Sequence, residues 1–432
     1  MNKPSGLYSW YVVFVLMIAY ISSFIDRQIL SLLVIPIKRD MHLSDTQVSL
    51  LMGLSFAIFY TLLGIPIGRL ADMKNRKNII IGGILLWSFM TSICGGVKSY
   101  LQFFLARIGV GVGEAALSPP AYSIITDYFP KDKISRAISV YSAGIYIGSG
   151  IAVLIGASLI GSLPPGGTTV VPIFGEIFHW QKLFFYIGIP GVLIALLVST
   201  IKEPTRQNTL HLNQDSNKLT LSEAIAFIRT KQKAFLSVTL GITFISLVAY
   251  ACIAWVPTYF VRTFGWTAQK AGGVYGIIIS IFSTSGIIAG GWLADRFVKN
   301  GKSDGKLRVG IISATGILLS SLFPLIDNET IVIVLLAVPS FFIAFPFGAS
   351  TAAIQEMMPN NVRAFASAIY LLIINIVALG FGPLIVALIT DYVFFDEYAI
   401  KYSISITIVL GSSLALFFYW NGLKAYKEAI KQ

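Results

Sequence analysis

Asp26 and Arg27 stand side by side in the run Ser22-Ser23-Phe24-Ile25-Asp26-Arg27-Gln28, inside a long apolar stretch where a plain membrane anchor would hold only Leu, Ile and Val. A second charged pair, Arg107 and Glu114, falls inside the fourth such stretch. A charge held at the depth of a bilayer core costs about 2.5–3.5 kcal/mol or more, so it persists only against a wet cavity, a partner or a substrate. Two carboxylates close to guanidinium groups can be tipped between protonation states by a substrate or by a change of shape. A guanidinium can hold a phosphate or carboxylate bidentately. Asp26 and Glu114 are therefore the expected proton-coupling residues, and Arg107 and Arg27 the expected substrate contacts. The plainer alternative is an ion network that only pins the first and fourth helices together.

Helical geometry decides which of these groups can meet. Arg107, Gly111, Glu114 and Ser118 follow the spacing of one helix face, so both charges of the fourth stretch look the same way and Ser118 joins them as a candidate contact. With the first and fourth stretches antiparallel, Asp26 lies about 16 Å below one surface, between Arg107 at about 9 Å and Glu114 at about 20 Å, at 1.5 Å of rise per residue. Two acids and a base can thus converge near mid-membrane. Arg27 points about 100° away from Asp26 on an α-helix, so it is expected either as the counter-ion of Asp26 or as a side chain reaching for the rim.

The elements that must position these residues are membrane spans. Hydrophobic residues make up 56% of the 432 positions, charged ones 12%, and mean hydropathy is +0.78. A soluble chain could not cover that much apolar surface. Stretches near 11–37, 48–68, 79–97, 101–125, 137–163, 183–201, 235–261, 271–293, 309–327, 330–354, 364–390 and 402–423 match the length that crosses a core of about 30 Å. The expected class is an all-α membrane protein of twelve transmembrane helices. The first stretch is too long for a cleavable leader and lacks a small-residue cleavage site.

The net charge of +12 is topological. Of 32 Lys and Arg, 23 fall in the termini and one set of alternating loops, 7 in the other set, and the remainder are Arg27 and Arg107. This positive-inside asymmetry places both termini in the cytoplasm and argues against a nucleic-acid partner. Cys94 and Cys252 lie inside apolar stretches, and His42, His179 and His211 are scattered in loops, so neither a disulfide framework, a metal site nor a cofactor is expected. Enzyme motifs fail. Gly301-Lys302-Ser303 lacks the earlier glycine of a phosphate-binding loop, since position 296 is Arg, and no strand precedes it. Neither H-E-x-x-H nor G-x-S-x-G occurs, and Gly148-Ser149-Gly150 and Gly113-Glu114 lack the partners an intramembrane hydrolase needs.

A polar stretch at 202–233 separates six spans from six, giving expected units 1–201 and 234–432 around a cytoplasmic linker. Thr220 and Glu223 have capping-box spacing for a short linker helix. The halves repeat: Gly68-Arg69-Leu70-Ala71-Asp72 recurs as Gly291-Trp292-Leu293-Ala294-Asp295, each followed four residues on by a cation, Arg76 or Lys299. Asp127-Tyr128-Phe129-Pro130 with Arg136 recurs as Glu356-Met357-Met358-Pro359 with Arg363. A duplicated six-helix unit explains two motifs recurring in the same order.

On these motifs the chain resembles a major facilitator superfamily transporter, whose G-x-x-x-D-(R)-x-x-R-(K/R) loop reads here as Gly68, Asp72, Asn75, Arg76 and Lys77, with Met73 where Arg is usual. Within that superfamily it resembles the spinster branch of lysolipid and sphingosine 1-phosphate carriers, on Asp26-Arg27 and on Arg107-Ile108-Gly109-Val110-Gly111-Val112-Gly113-Glu114-Ala115, with Asp127 and Arg136. Tyr146 before Ile147-Gly148-Ser149-Gly150 departs from that branch. The resemblance implies a cytoplasmic gate of Gly68, Asp72, Arg76, Lys77, Asp127 and Arg136, repeated at Asp295 and Lys299. It also implies that the fifth and eighth helices meet across the halves, along small-residue stripes at Gly144, Gly148, Ala152 and Gly156 and at Gly272, Gly276, Ser280 and Thr284. Prolines inside the spans, Pro119, Pro120, Pro190, Pro257, Pro339 and Pro346 among them, mark candidate hinges.

The second half carries no mid-span charge in its seventh to eleventh stretches. Tyr250, Trp255, Tyr259, Phe341, Phe345 and Asn375, with Ser280 and Ser283, are its expected lining, although helix packing alone explains each aromatic equally well. A charged wall opposite an aromatic one favours an amphiphilic anion, with membrane lipid and protons as the other partners and a monomer in a bacterial inner membrane. Three readings compete: a proton-coupled secondary carrier of a lipid-like anion, a carrier of a small organic anion, sugar acid or drug, and a non-transporting lipid receptor or scramblase.

Overall fold

The computed structural model describes residues 6–164, 166–205 and 221–431. Thr220 of the expected cap and the side chains of Asp72 and Arg136 lie outside the described residues. Twelve described helices are long and apolar enough to cross a membrane: α1 (Leu7–Leu32), α2 (Asp45–Gly64), α3 (Arg76–Cys94), α4 (Tyr100–Tyr128), α5 (Val140–Gly161), α6 (His179–Ser199), α7 (Gln232–Phe264), α8 (Ala268–Lys299), α9 (Gly305–Leu325), α10 (Glu329–Met357), α11 (Phe365–Phe394) and α12 (Glu397–Ala429). The linker contributes the short helix Leu221–Thr230. One exception to an all-helical chain is an antiparallel hairpin of β1 (Thr168–Val171) and β2 (Gly175–Phe178) between α5 and α6. Its β-branched Thr168-Thr169-Val170-Val171 favours a strand once the chain has left the spans. Large apolar side chains such as Leu101, Leu105, Phe89, Trp292 and Phe417 are exposed along the spans, as a lipid-covered surface requires.

Proline breaks some spans and not others. α4 is interrupted between Glu114 and Ser118, with Pro119 and Pro120 in the first turn of the second piece. α6 breaks at Pro190 and α10 at Pro346. Pro257 and Pro339 stay inside continuous helix. The α4 break matters most, because it ends the first piece at the carboxylate-bearing residue itself.

By contacts the chain divides into two compact units, Met1–Leu210 with Val256–Ile277, and His211–Trp255 with Ile278–Gln432. In the first, glycines set the helix spacing, since lipid offers little drive for helix association and close approach must supply it. A Cβ on Gly148 would lie 3.1 Å from the Ile21 Cα of α1, and one on Gly156 2.8 Å from Leu32. The α5 stripe therefore serves α1. Contact between α8 and α5 uses the α8 glycines: a Cβ on Gly272 would meet Ala157 at 2.8 Å, and one on Gly276 the Gly150 carbonyl at 3.2 Å.

Alternating glycines in α4 bring α2 and α3 onto the charged segment. A Cβ on Gly111 would come within 2.7 Å of the Phe56 carbonyl oxygen of α2, and one on Gly113 within 2.6 Å of the Trp87 backbone nitrogen of α3. Backbone atoms cannot rotate away, so Gly111→Ala must push α2 off α4, at a cost of about 1–3 kcal/mol. Its thermal-shift midpoint in detergent should fall well below that of Gly82→Ala, where a Cβ meets nothing within 4 Å. Equal midpoints would mean that close approach does not hold this region together.

The second unit packs around aromatic side chains. Phe345 is buried with Ala294, Val309 and Ala349, and Phe341 and Phe342 pack against that cluster. Tyr419 of α12 lies against Gly241 of α7 and Gly310 of α9 and hydrogen-bonds Ser350 of α10 at 2.8 Å.

Candidate functional site

Arg27 of α1 and Glu114 of α4 form a buried ion pair. Arg27 Nη2 lies 2.5 Å from Glu114 Oε2, and its Nε donates to the same oxygen at 2.7 Å. The counter-ion of Arg27 is thus Glu114, neither Asp26 nor the rim. The guanidinium sits over three rings, Phe24 at 5.0 Å, Phe56 at 4.6 Å and Tyr60 at 4.9 Å, contacts that favour a cation through the ring quadrupole. The aromatic bowl continues in Tyr20 stacked on Tyr141 at 4.8 Å, with Tyr122 edge-on to Tyr141. Ser118 reaches this bowl, its hydroxyl 3.4 Å from that of Tyr141. Aromatic surface thus surrounds the charged helices themselves, which spacing alone did not reveal.

Asp26 turns the other way. Thr91 of α3 faces its carboxylate, with Glu114 and Arg107 as charged neighbours. Arg107 does not pair with Glu114; its Nε donates to the Leu51 carbonyl of α2 at 3.2 Å. Asp26, Arg107 and Glu114 are each only 1% exposed, and each keeps one polar atom without a hydrogen bond: Asp26 Oδ1, Arg107 Nη2 and Glu114 Oε1. Buried polar atoms are ordinarily satisfied, so three unbonded ones in one cluster single these residues out as a candidate site. The side chain of Arg27, at 12% exposed, is the one charged group of the four open to an incoming molecule.

The expected lining of the second half is placed less uniformly. Trp255 is fully buried and donates to the Pro383 carbonyl at 2.8 Å, tying α7 to α11. Tyr259, also fully buried, packs on Phe260 and Phe264. Phe345 belongs to the packed core, with Phe341 against it. Tyr250 and Asn375 are half-buried, Tyr250 beside Gly382 of α11 and Asn375 in a π-helical stretch, Ile374–Gly380. A π-helical turn also replaces regular helix at Ile279–Ser283 of α8, where Ser283 donates to the Ser340 carbonyl.

At the end of the first unit where α3 begins, Arg76 makes four contacts: Asp127 Oδ2 at 2.5 Å, Glu203 Oε1 at 2.7 Å, the Ser123 hydroxyl at 2.8 Å and the Pro204 carbonyl at 2.9 Å. Lys77 joins through its backbone nitrogen to Glu203 at 3.0 Å and its Nζ to the Ser199 carbonyl at 3.3 Å. Gly68 lies near Pro119. Glu203, the partner that spacing did not single out, sits just past α6 in Lys202-Glu203-Pro204. In the second unit the counterpart of this cluster uses Lys306 and Glu356, paired at 2.6 Å, with the Tyr426 hydroxyl donating to Glu356 at 2.5 Å. Asp295 and Lys299 are exposed.

A second cluster lies at the opposite end of the spans. Asp45, fully buried at the start of α2, is gripped bidentately by Arg262 of α7 at 2.7 and 2.8 Å and by Lys38 at 2.7 Å. Ser44 and Gln47 close a capping box around it. Spacing could find the cap but not Arg262, 217 residues away.

Comparison with known proteins bears on the family and the fold. The family model described as Major Facilitator Superfamily matches residues 16–383. An "MFS-type efflux pump" of Mycolicibacterium smegmatis is 28% identical over 98% of this chain and 94% of its own. "Protein spinster homolog 1" of Xenopus tropicalis is 30% identical over 72% of this chain and 60% of its own. A bacterial homologue of the human lysosomal transporter Spinster, solved in an inward-facing and unoccupied conformation, superposes with a TM-score of 0.83 at 26% identity, covering 98% of this chain and 99% of that one.

Proposed function

This chain belongs to the Major Facilitator Superfamily, and from that membership we propose that it is a proton-coupled carrier of an amphiphilic anion such as a lysophospholipid or sphingosine-phosphate-like lipid. It works by alternating access between six-span repeats 1–201 and 234–432, in a plasma membrane with both termini in the cytoplasm. As a member of a transporter family it is a twelve-span membrane protein and not an enzyme.

The observation that carries the reading is the Arg27–Glu114 ion pair, buried beside Asp26 and Arg107 in α1 and α4. With Glu114 ionised, Arg27 is satisfied. Protonation of Glu114 removes the counter-charge and leaves Arg27, seated on three rings, to take a phosphate or carboxylate in its place. Arg27 is the head-group contact in this scheme, since Arg107 is deeply buried and already engages Leu51. Asp26 and Glu114 pass the proton, and the bowl of Phe24, Phe56, Tyr60 and Tyr141 receives the apolar part next to the head. Ser118 adds a hydroxyl to that bowl at Tyr141, and Tyr250, Trp255, Tyr259, Phe341, Phe345 and Asn375 take no part in this scheme.

The test is uptake of lysophospholipid into proteoliposomes with and without an imposed pH gradient. Glu114→Gln keeps a hydrogen-bonding group of the same size but cannot take up or release a proton as a carboxyl does. It should lose the gradient-driven component, a fall of at least about tenfold for a proton-transfer residue, while gradient-free exchange persists. Accumulation that still follows the gradient in Glu114→Gln and in Asp26→Asn would place coupling elsewhere. Export of an organic drug is the second reading, favoured by the near full-length similarity to an efflux pump. A drug panel that competes for transport where lysolipids do not would select it.

A further inference from the structure

The end of the first unit where α1 closes contains two adjoining chambers. Four span ends converge on them: α1 closes at Leu32, α5 at Gly161, α6 opens at His179 and α8 at Ala268. The larger chamber, about 350 Å³, is lined by Arg39, His179 and Trp180 along with aliphatic side chains. The smaller, about 210 Å³, lies between the α1 end and α7, with Pro257, Val261 and Trp266 in its wall. The chambers share Leu32, Pro36, Thr267 and Ala268, so they lie side by side with a common wall. None of the four buried charged residues of α1 and α4 touches either chamber.

The two chambers differ in chemistry. Among its described lining residues, the large chamber has one charged side chain, Arg39. The carboxylate of Asp40, which takes Arg39 Nε and Nη2 at 2.6 and 3.0 Å and also the Trp180 indole nitrogen at 3.0 Å, faces a different cavity. His179 presents a second group: its Nδ1 is buried and has no hydrogen-bond partner among the described residues, although the ring lines the chamber. A buried imidazole nitrogen left unbonded needs a partner that the protein does not supply. Gly166 and Gly167, with φ of 79° and 85°, fold the chain closely over these two side chains, both Arg39 Nη atoms lying 3.7 Å from where a Gly166 Cβ would stand. The small chamber, by contrast, offers three hydroxyls, of Ser31, Thr258 and Thr267, beside Trp266, Val261, Ile35 and two prolines, and no charge.

A cation and a spare imidazole in one room and an apolar room behind it match a molecule with an anionic head and a single aliphatic tail. Its level suits such a molecule, because span ends and tryptophans mark the boundary between hydrocarbon and water. We propose that this cavity is a binding site for a single-chain anionic amphiphile, with its carboxylate or phosphate on Arg39 and His179 and its tail between Leu32 and Trp266. The site is separate from the Arg27–Glu114 cluster and does not depend on what that cluster transports. Its tail chamber is lined by Val261, next to the Arg262 that grips Asp45, so occupancy bears on the end of α7 that the Asp45 cluster holds.

Trp180 and Trp266 provide the readout, one in each chamber. The full chain in detergent is titrated with 9,10-dibromostearate, whose bromines quench indole fluorescence at contact, and in parallel with its uncharged methyl ester. Saturable quenching by the acid is expected, with a fraction lost in Trp266→Phe and another in Trp180→Phe. Loss of the charge-assisted contacts in Arg39→Gln with His179→Gln should raise the half-saturating concentration about tenfold. Arg39 is largely exposed, so that variant should fold. The Arg27–Glu114 cluster lines neither chamber, so the quenching lost in the two tryptophan variants reports this cavity alone, and failure of the transport reading leaves this outcome untouched. Equal quenching by acid and ester, unchanged half-saturation in the Arg39 and His179 variant, or quenching that survives both tryptophan replacements would each overturn the assignment.

Discussion

Arg27→Ala is expected to abolish transport and lower the detergent melting temperature by several degrees, while Arg27→Met combined with Glu114→Leu should recover the melting temperature but no transport. The single variant leaves Glu114, 1% exposed, as an ionised group with its ion-pair partner gone. Stranding one partner of a buried pair costs about 3–5 kcal/mol, whereas replacing both by apolar groups of similar volume is often neutral or stabilising. The Phe24, Phe56 and Tyr60 rings around the guanidinium make such a replacement tolerable, since a Met side chain packs readily against aromatic faces. Thermal shift and proteoliposome uptake measured on the same preparations separate two roles that a single substitution confounds. A double variant that is stable and still transports would reduce the pair to a pin between α1 and α4. One that is stable and inert assigns the charges to the transport cycle.

Arg76→Ala has the other large effect expected of this chain, and it acts on stability first. Arg76 is 1% exposed and holds Asp127, Glu203, Ser123 and the Pro204 carbonyl at once. Truncation strands two carboxylates and frees the segment after α6, a loss of about 3–5 kcal/mol on the scale of broken buried pairs. Arg76→Lys keeps the charge, but three donors on one nitrogen cannot reproduce a planar fork serving partners in different directions. It should therefore recover less than half of the loss. Glu203→Gln should cost less than either, because Asp127 still neutralises the guanidinium. A lysine variant as stable as the parent would show that charge alone, and not the fork, orders this end of the first unit.

Much of the architecture was open to reading along the chain, because the bilayer imposes a length rule that composition obeys. All twelve spans, the polar break after the sixth and the repeat of motifs between halves follow from where apolar runs stop. The break in α4 at Glu114 follows from Pro119 and Pro120, and the shared face of Arg107 and Glu114 from helical period. Helix class also concealed something: Thr168-Thr169-Val170-Val171 is a strand candidate by β-branching, yet twelve helices drew attention away from it.

Partner choice was not legible. Arg107 shares a helix face with Glu114 and Arg27 lies on a different helix, yet the pairing that forms is with Arg27. Close approach of α2 to α4 over Gly111 decides it by placing the Leu51 carbonyl at Arg107 and the Phe56 ring under Arg27. The same holds for the second-unit latch. Counting four residues past Asp295 selects Lys299, but Lys299 is still in the last turn of α8 and α9 opens only at Gly305, so the cation that meets Glu356 is Lys306 in the first turn of α9. Asp45 finds Arg262 across 217 residues. Sequence by itself determined where charge enters the membrane, because burying it there is costly enough to be conspicuous in any span. Only the tertiary structure decided which opposite charge answers it, since that depends on which helices glycine allows to touch.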